Sequence, residues 1–122
     1  MNLTPWAANA ILNGTAMPAT LWVQLHTGDP GTDGTANVAD DDRRRSFTRT
    51  TATGGTCSNA ALIEWLSAPA TEDLTHISIH DASTAGNAWW VGEINDAPVS
   101  AVAGQATEIA LGDLTLTLAV WS

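Results

Sequence analysis

Apolar and polar positions alternate along most of this chain. Leu21, Val23 and Leu25 alternate with Trp22, Gln24 and His26, the period of a strand with one buried face. Ile77 and Ile79 stand opposite His76, Ser78 and His80 in the same way, which predicts a strand over 74–80. Residues 46–52, which are Thr-rich, and the stretch 88–94 read as further strands, while the apolar stretch 60–66 fits a strand and its Ala-Ala-Leu-Ile-Glu also fits a helix turn. Over 88–94, neighbours point to opposite faces, so Trp89 and Trp90 cannot share one core. Residues 107–111 and 114–121 flank Gly112-Asp113, a two-residue hairpin signal. In the second arm Leu114, Leu116, Leu118 and Val120 face one way, and Thr115, Thr117, Ala119 and Trp121 the other. The N-terminus departs from this period. Thr4 is placed to cap a helix that Pro5 opens, Trp6 and Ala10 share one face, Ala7 and Ile11 the next, and Asn13-Gly14 supplies the stop.

Short strands at regular spacing predict an all-β fold, a β-sandwich or jelly-roll-like domain with a short N-terminal helix. One domain is expected over 1–122, with the helix and lead-in in 1–19 and the sandwich in 20–122. Two connections are longer than usual, 27–42 and 95–106. Gly28, Asp29, Pro30, Gly31, Asp33 and Gly34 exclude a regular element from the first. The glycines permit positive φ, while Asp29 and Asp33 can bond their own following backbone. Loops of this length are functional or stay disordered until a partner binds.

Charge narrows the function. Thirteen acids face four cations, all Arg, for a net charge of −9 over 122 residues. Such a chain repels nucleic-acid phosphates and anionic membranes, so neither is an expected partner. No apolar run has the length of a membrane span, and Met1-Asn2-Leu3-Thr4-Pro5 has no basic residue ahead of an apolar stretch, so no signal peptide is expected. Cys57 is the one cysteine, which excludes an internal disulfide and reads as a small buried thiol.

Candidate chemistry is sparse. His76 and His80 share a strand face but stand roughly 13 Å apart at strand rise, too far to share a metal, and His26 would join them only through tertiary structure. Asp29, Asp33, Asp40, Asp41 and Asp42 form an acidic stretch that lacks the calcium-loop pattern of alternating ligands and a terminal Glu. Glu64 and Glu93 are an acid–base pair in name only, since any two strand carboxylates would serve. No catalytic, cofactor or metal set is expected. Arg43, Arg44 and Arg45 follow three aspartates directly, and both internal neutralisation and docking on a partner fit that arrangement. Of Trp89 and Trp90, one is expected to face solvent or a partner. The candidate interface is therefore Arg43, Arg44, Arg45, Trp89, Trp90, Asp29 and Asp33.

The run Leu25-His26-Thr27-Gly28-Asp29-Pro30-Gly31-Thr32-Asp33-Gly34-Thr35-Ala36-Asn37 resembles a signature of small tailed-phage virion proteins found in phages of actinobacteria. The resemblance continues through Ser58-Asn59-Ala60-Ala61, Thr75 to Ala82, Gly86-Asn87-Ala88-Trp89-Trp90 and Gly112 to Leu116. Members carry labels of tail fibre, minor tail or head decoration protein. The resemblance implies a non-enzymatic structural protein, made in the host bacterial cytoplasm and incorporated in the virion. Small size, the absence of a catalytic set and the lack of a long repetitive shaft favour a capsid decoration (cement) protein. Its partners would be the major capsid protein and copies of itself, in a trimer or other symmetric ring. The alternative is a tail fibre or minor tail component with a receptor- or carbohydrate-binding role. That version would set Trp89 or Trp90 on a sugar face with Asp or Asn beside it.

Overall fold

A computed structural model describes residues 4–14, 17–94 and 97–118 of the chain. The element order is α1 (Pro5–Asn13), β1 (Thr20–His26), β2 (Arg45–Thr48), β3 (Thr56–Ser58), β4 (Ile63–Trp65), β5 (Glu72–Leu74), β6 (His76–His80), β7 (Ala88–Glu93), β8 (Val99–Ala101), β9 (Thr107–Ile109) and β10 (Thr115–Thr117). The fold is all-β with one short N-terminal helix. A four-stranded sheet has the order β2-β1-β6-β7, and two-stranded ladders join β10 to β3, β4 to β9 and β5 to β8. The chain falls into two compact units, each assembled from separate stretches: Met1–Thr20, Phe47–Ile63 and Ile109–Ser122 form one, and Leu21–Ser46 with Glu64–Glu108 form the other.

The first unit is clipped together by asparagine side chains. Asn59 is fully buried; its amide NH₂ donates to the carbonyls of Ala61 (2.8 Å) and Ala110 (2.9 Å), and its side-chain oxygen accepts from the Leu114 N–H (3.0 Å). From α1, Asn9 accepts from the Gly55 N–H and Asn13 from the Ala52 N–H, tying the helix to the turn between Thr53 and Thr56. Arg49 donates to the carbonyls of Leu12 and Pro18. Leu12, Met17, Phe47, Ala52, Cys57, Leu114 and Leu116 are buried. Burial also pushes the Cys57 thiol pKa up, consistent with an inert packing residue.

The hairpin expected across Gly112-Asp113 does not form among the described residues: β9 pairs with β4 and β10 with β3, in the register Thr115–Ser58, Leu116–Cys57 and Thr117–Thr56. The turn at Gly112 exists, with Asp113 N–H bonded to Ala110 O, but Asn59 holds both of its ends and the arms leave for different partners. The strand expected over 46–52 ends at Thr48, and the one over 74–80 breaks at Thr75 into β5 and β6. β8 lies within the long connection expected over 95–106, and β3 lies in a stretch to which no element was assigned. Met1, Val120 and Trp121 lie outside the described residues, as do Asn95 and Asp96. Asn59→Ala removes three hydrogen bonds, leaving the buried Leu114 N–H and the Ala61 carbonyl without that partner while Ala110 O keeps the Asp113 N–H, and is expected to cost about 2 kcal/mol, read as a lower midpoint in urea unfolding.

The second unit is built on β1 and β6, antiparallel with Trp22 opposite His80, Gln24 opposite Ser78 and His26 opposite His76. Leu21, Val23, Leu25 and Ile79 fill one side, each 2 % exposed or less; burying each contributes about 2 kcal/mol. The other side carries Gln24, His26, Ser78 and His80, and it is buried as well, at 6 % exposure or less. β1 therefore has two buried faces, one apolar and one polar, instead of a single one.

Candidate functional site

The long connection after β1 is what covers the polar face. It is ordered by its own chain. Thr27 N–H bonds to Asn37 O and Ala36 N–H to Pro30 O, both at 3.0 Å, and Asn37 adds a side-chain bond to Asp29 O. Asp29 Oδ1 accepts from the Gly31 N–H, and Asp33 Oδ1 from both the N–H and the hydroxyl of Thr35. The Thr35 donors hold the Asp33 carboxyl below the usual carboxylate range. Asp29 and Asp33 thus shape the loop, as their turn-forming chemistry predicts. Gly31 and Gly34 take positive φ (75° and 70°). A Cβ on Gly34 would lie 2.9 Å from His80 Cε1, so the glycine permits the loop to lie directly on that ring.

Beneath the loop runs a chain of hydrogen bonds. His26 Nδ1 bonds Ala36 O (2.8 Å), His26 Nε2 bonds Ser78 Oγ (2.6 Å), and Ser78 Oγ bonds His80 Nε2 (2.7 Å). Tertiary structure thus brings His26 to His80, bridged by Ser78. His76, at the other end of β6, bonds Thr75 Oγ1.

The arginine cluster is divided among three environments. Arg43 grips Asp41 with two parallel bonds, Nε to Oδ1 at 2.7 Å and Nη2 to Oδ2 at 2.8 Å, and Nη2 also donates to Leu66 O. Asp41 is 2 % exposed and the Arg43 side chain 41 %; the pair raises the Arg43 pKa further above its ordinary value. Arg44 donates to Gln24 Oε1 (2.9 Å) and to the carbonyls of Ala82 and Ala85 (2.8 Å each). Gln24 passes the tie on to Asp42 O. Arg45 opens β2, with Nε buried and without a partner among the described residues. Arg43 and Arg44 are thus bound to their own chain.

Arg44 thereby fastens the turn between β6 and β7, and that turn presents the exposed tryptophan. Ala85 and Gly86 both take positive φ, and a side chain at Gly86 would run into Asp81. Asp81 accepts from the Asn87 N–H (2.9 Å) and from the Trp89 indole N–H (3.2 Å), which lowers its pKa. Trp89 is 39 % exposed and Trp90 half-buried. In the β6–β7 ladder Ile79 faces Trp90 and His80 faces Ala88, so Trp89 is the extra residue of a β-bulge. β7 is the outer strand of its sheet, with Val91 exposed beside Trp89. Trp89, Asp81 and Asn87 form a surface platform: an indole face with a carboxylate and an amide at its rim.

A family model described as podophage GP4 fiber I protein gp80 matches residues 2–117. The chain belongs to that family. It is a phage virion structural protein. No curated protein matches the chain. In this fiber-family chain Glu64 lies on β4 and Glu93 on β7, in different sheets. An open cleft of about 250 Å³ in the first unit is lined by Leu12, Asn13, Arg49 and threonines, but its guanidinium is already held by the Leu12 and Pro18 carbonyls.

The polar platform had a partial signal in the sequence, since the pairing of an exposed Trp with Asp or Asn was the form expected of a sugar face. The buried His26–Ser78–His80 chain and the role of Arg44 had none that alternation could reveal. The usable hint was a strand face of His and Ser, with no Lys or Glu, followed by a Gly-rich loop long enough to fold back over it.

Proposed function

We propose that this protein is a component of the phage tail fibre, and that it meets host-surface carbohydrate on the Trp89 platform. The observation that carries the fibre assignment is the match of residues 2–117 to a family of fibre proteins. It favours the tail over the capsid-decoration reading that small size and the absent shaft suggested. Copies of the same chain, arranged in a closed ring, are the natural neighbours of a fibre component.

The Trp89 platform supports the carbohydrate part. Trp89, an exposed residue, offers apolar indole area for stacking on a pyranose ring, and Asp81 and Asn87 supply polar groups at its edge. Arg44 holds the supporting turn at Ala82 and Ala85, so the platform is set before a sugar arrives. Gold-labelled antibody against the chain is expected to decorate the tails of intact virions in electron micrographs. Label spread evenly over the heads would overturn the fibre reading. Trp89→Ala should weaken binding to host cell-wall polysaccharide at least about tenfold while shifting stability by under about 1 kcal/mol. Undiminished binding would remove the platform from the account and leave the fibre assignment standing.

A further inference from the structure

The hydrogen-bond chain under the long loop has only one consistent proton arrangement. A carbonyl only accepts, so His26 Nδ1 carries a proton and donates to Ala36 O at 2.8 Å. In a neutral ring Nε2 is then an acceptor, and the Ser78 hydroxyl donates to it at 2.6 Å. Ser78 Oγ accepts in turn from His80 Nε2–H at 2.7 Å. His80 Nδ1 is left bare, buried and without a partner among the described residues. His26, Ser78 and His80 are all 1 % exposed or less. The chain ends on the loop backbone at Ala36, and Gly34 of the same loop rests on the His80 ring.

This arrangement tolerates two neutral imidazoles and no charged one. A proton added to His80 Nδ1 is a buried donor with nothing to receive it. A proton added to His26 Nε2 turns the Ser78 hydroxyl away from the ring nitrogen that accepts it. Either event leaves a charge and an unmet donor beneath the loop.

We propose that the His26–Ser78–His80 chain is an acid-released latch: protonation of its imidazoles detaches the loop 27–37 from the sheet while β1 and β6 stay paired. The proposal is independent of the fibre reading. The charged surroundings favour release. Burial first, then Arg44 and the neighbouring His26, lower the His80 pKa to about 4, with Asp81 alone opposing. Burial lowers that of His26 against the opposing Ala36 and Asn37 carbonyls, with smaller lowering from His76 and Arg44. The acids of the loop do not offset this, because Asp29 and Asp33 are turned to the backbone of Gly31 and Thr35. Asp41 is paired with Arg43, Glu72 accepts from the Asp40 and Asp41 N–H groups, and Glu93 sits across from His76 at the far end of β6. Both folded-state values lie below that of the unfolded chain. The latch is therefore whole above the ordinary histidine pKa of 6.5 and weakens as pH falls from there to about 4.

Amide hydrogen exchange at pH 7 and pH 5, corrected for the intrinsic pH dependence of exchange, tests this directly. The bonds to watch are Thr27 N–H to Asn37 O, Ala36 N–H to Pro30 O and Ala39 N–H to Leu25 O. Their protection is expected to fall at least about tenfold at pH 5, with β1 and β6 ladder amides unchanged. His80→Phe, which keeps a ring under Gly34 but cannot titrate, should reduce that fall. Imidazole shifts in the unmodified protein supply a second reading that needs no variant: His80 should titrate near 4 and His26 below 6.5. Loop protection that does not change, rings that titrate normally, or equal loss in loop and ladder would each overturn the latch.

Discussion

Arg43→Ala is expected to lower stability by about 3 kcal/mol, because it strands the Asp41 carboxylate where it cannot be hydrated. Asp41 is 2 % exposed, and the two parallel bonds from Arg43 are its charge partner. The same guanidinium also satisfies Leu66 O, so alanine removes a tie between the segment before β2 and the end of β4. Arg43→Lys keeps the charge but loses the fork and should recover only part of the loss. Combining Arg43→Ala with Asp41→Asn should recover part of it too, since the buried charge is then gone. Urea unfolding of the four proteins measures this. A midpoint that Arg43→Ala does not move would mean the pair contributes nothing to the fold, and the guanidinium would return to being a candidate for docking.

The second large effect belongs to Trp65. It is fully buried, and its indole N–H donates to Arg43 O at 2.7 Å. Trp65→Ala should cost about 4 kcal/mol, combining lost apolar burial with the cavity left behind. Trp65→Phe keeps most of the ring but strands the Arg43 carbonyl, and a further share of about 1 kcal/mol is expected from that bond. The contrast is with Trp89, on the bulged outer strand, where alanine should cost under about 1 kcal/mol. Equal losses at Trp65 and Trp89 would mean that both are core residues, and the surface platform would not exist.

The parts of this fold that alternation could reach were the ones whose partners lie next to them in kind. Leu21, Val23 and Leu25 and the facing Ile77 and Ile79 announce β1 and β6, and the structure pairs them. Alternation says which residues share a face; it does not say what covers that face. Gln24, His26, Ser78 and His80 have the period of a solvent-facing row, yet a Gly-rich loop folds over them and meets their hydrogen bonds with its own backbone. Strand partners were hidden for a related reason. Gly112-Asp113 is a local turn signal, but Asn59, more than fifty residues earlier, holds both ends of that turn and sends β9 and β10 to β4 and β3. The arginines show the same limit. Their position after three aspartates is visible in sequence, while the carbonyls that bind Arg44, at Ala82 and Ala85, are about forty residues away.

The proposed place of this fiber-family chain in the phage tail is tested by its copy number. Intact virions would be purified and the chain quantified by mass spectrometry against the major capsid protein. A tail component is expected at a handful of copies per particle. A ratio near one, or a simple fraction of it, would rule out the tail and make the protein a component of the shell.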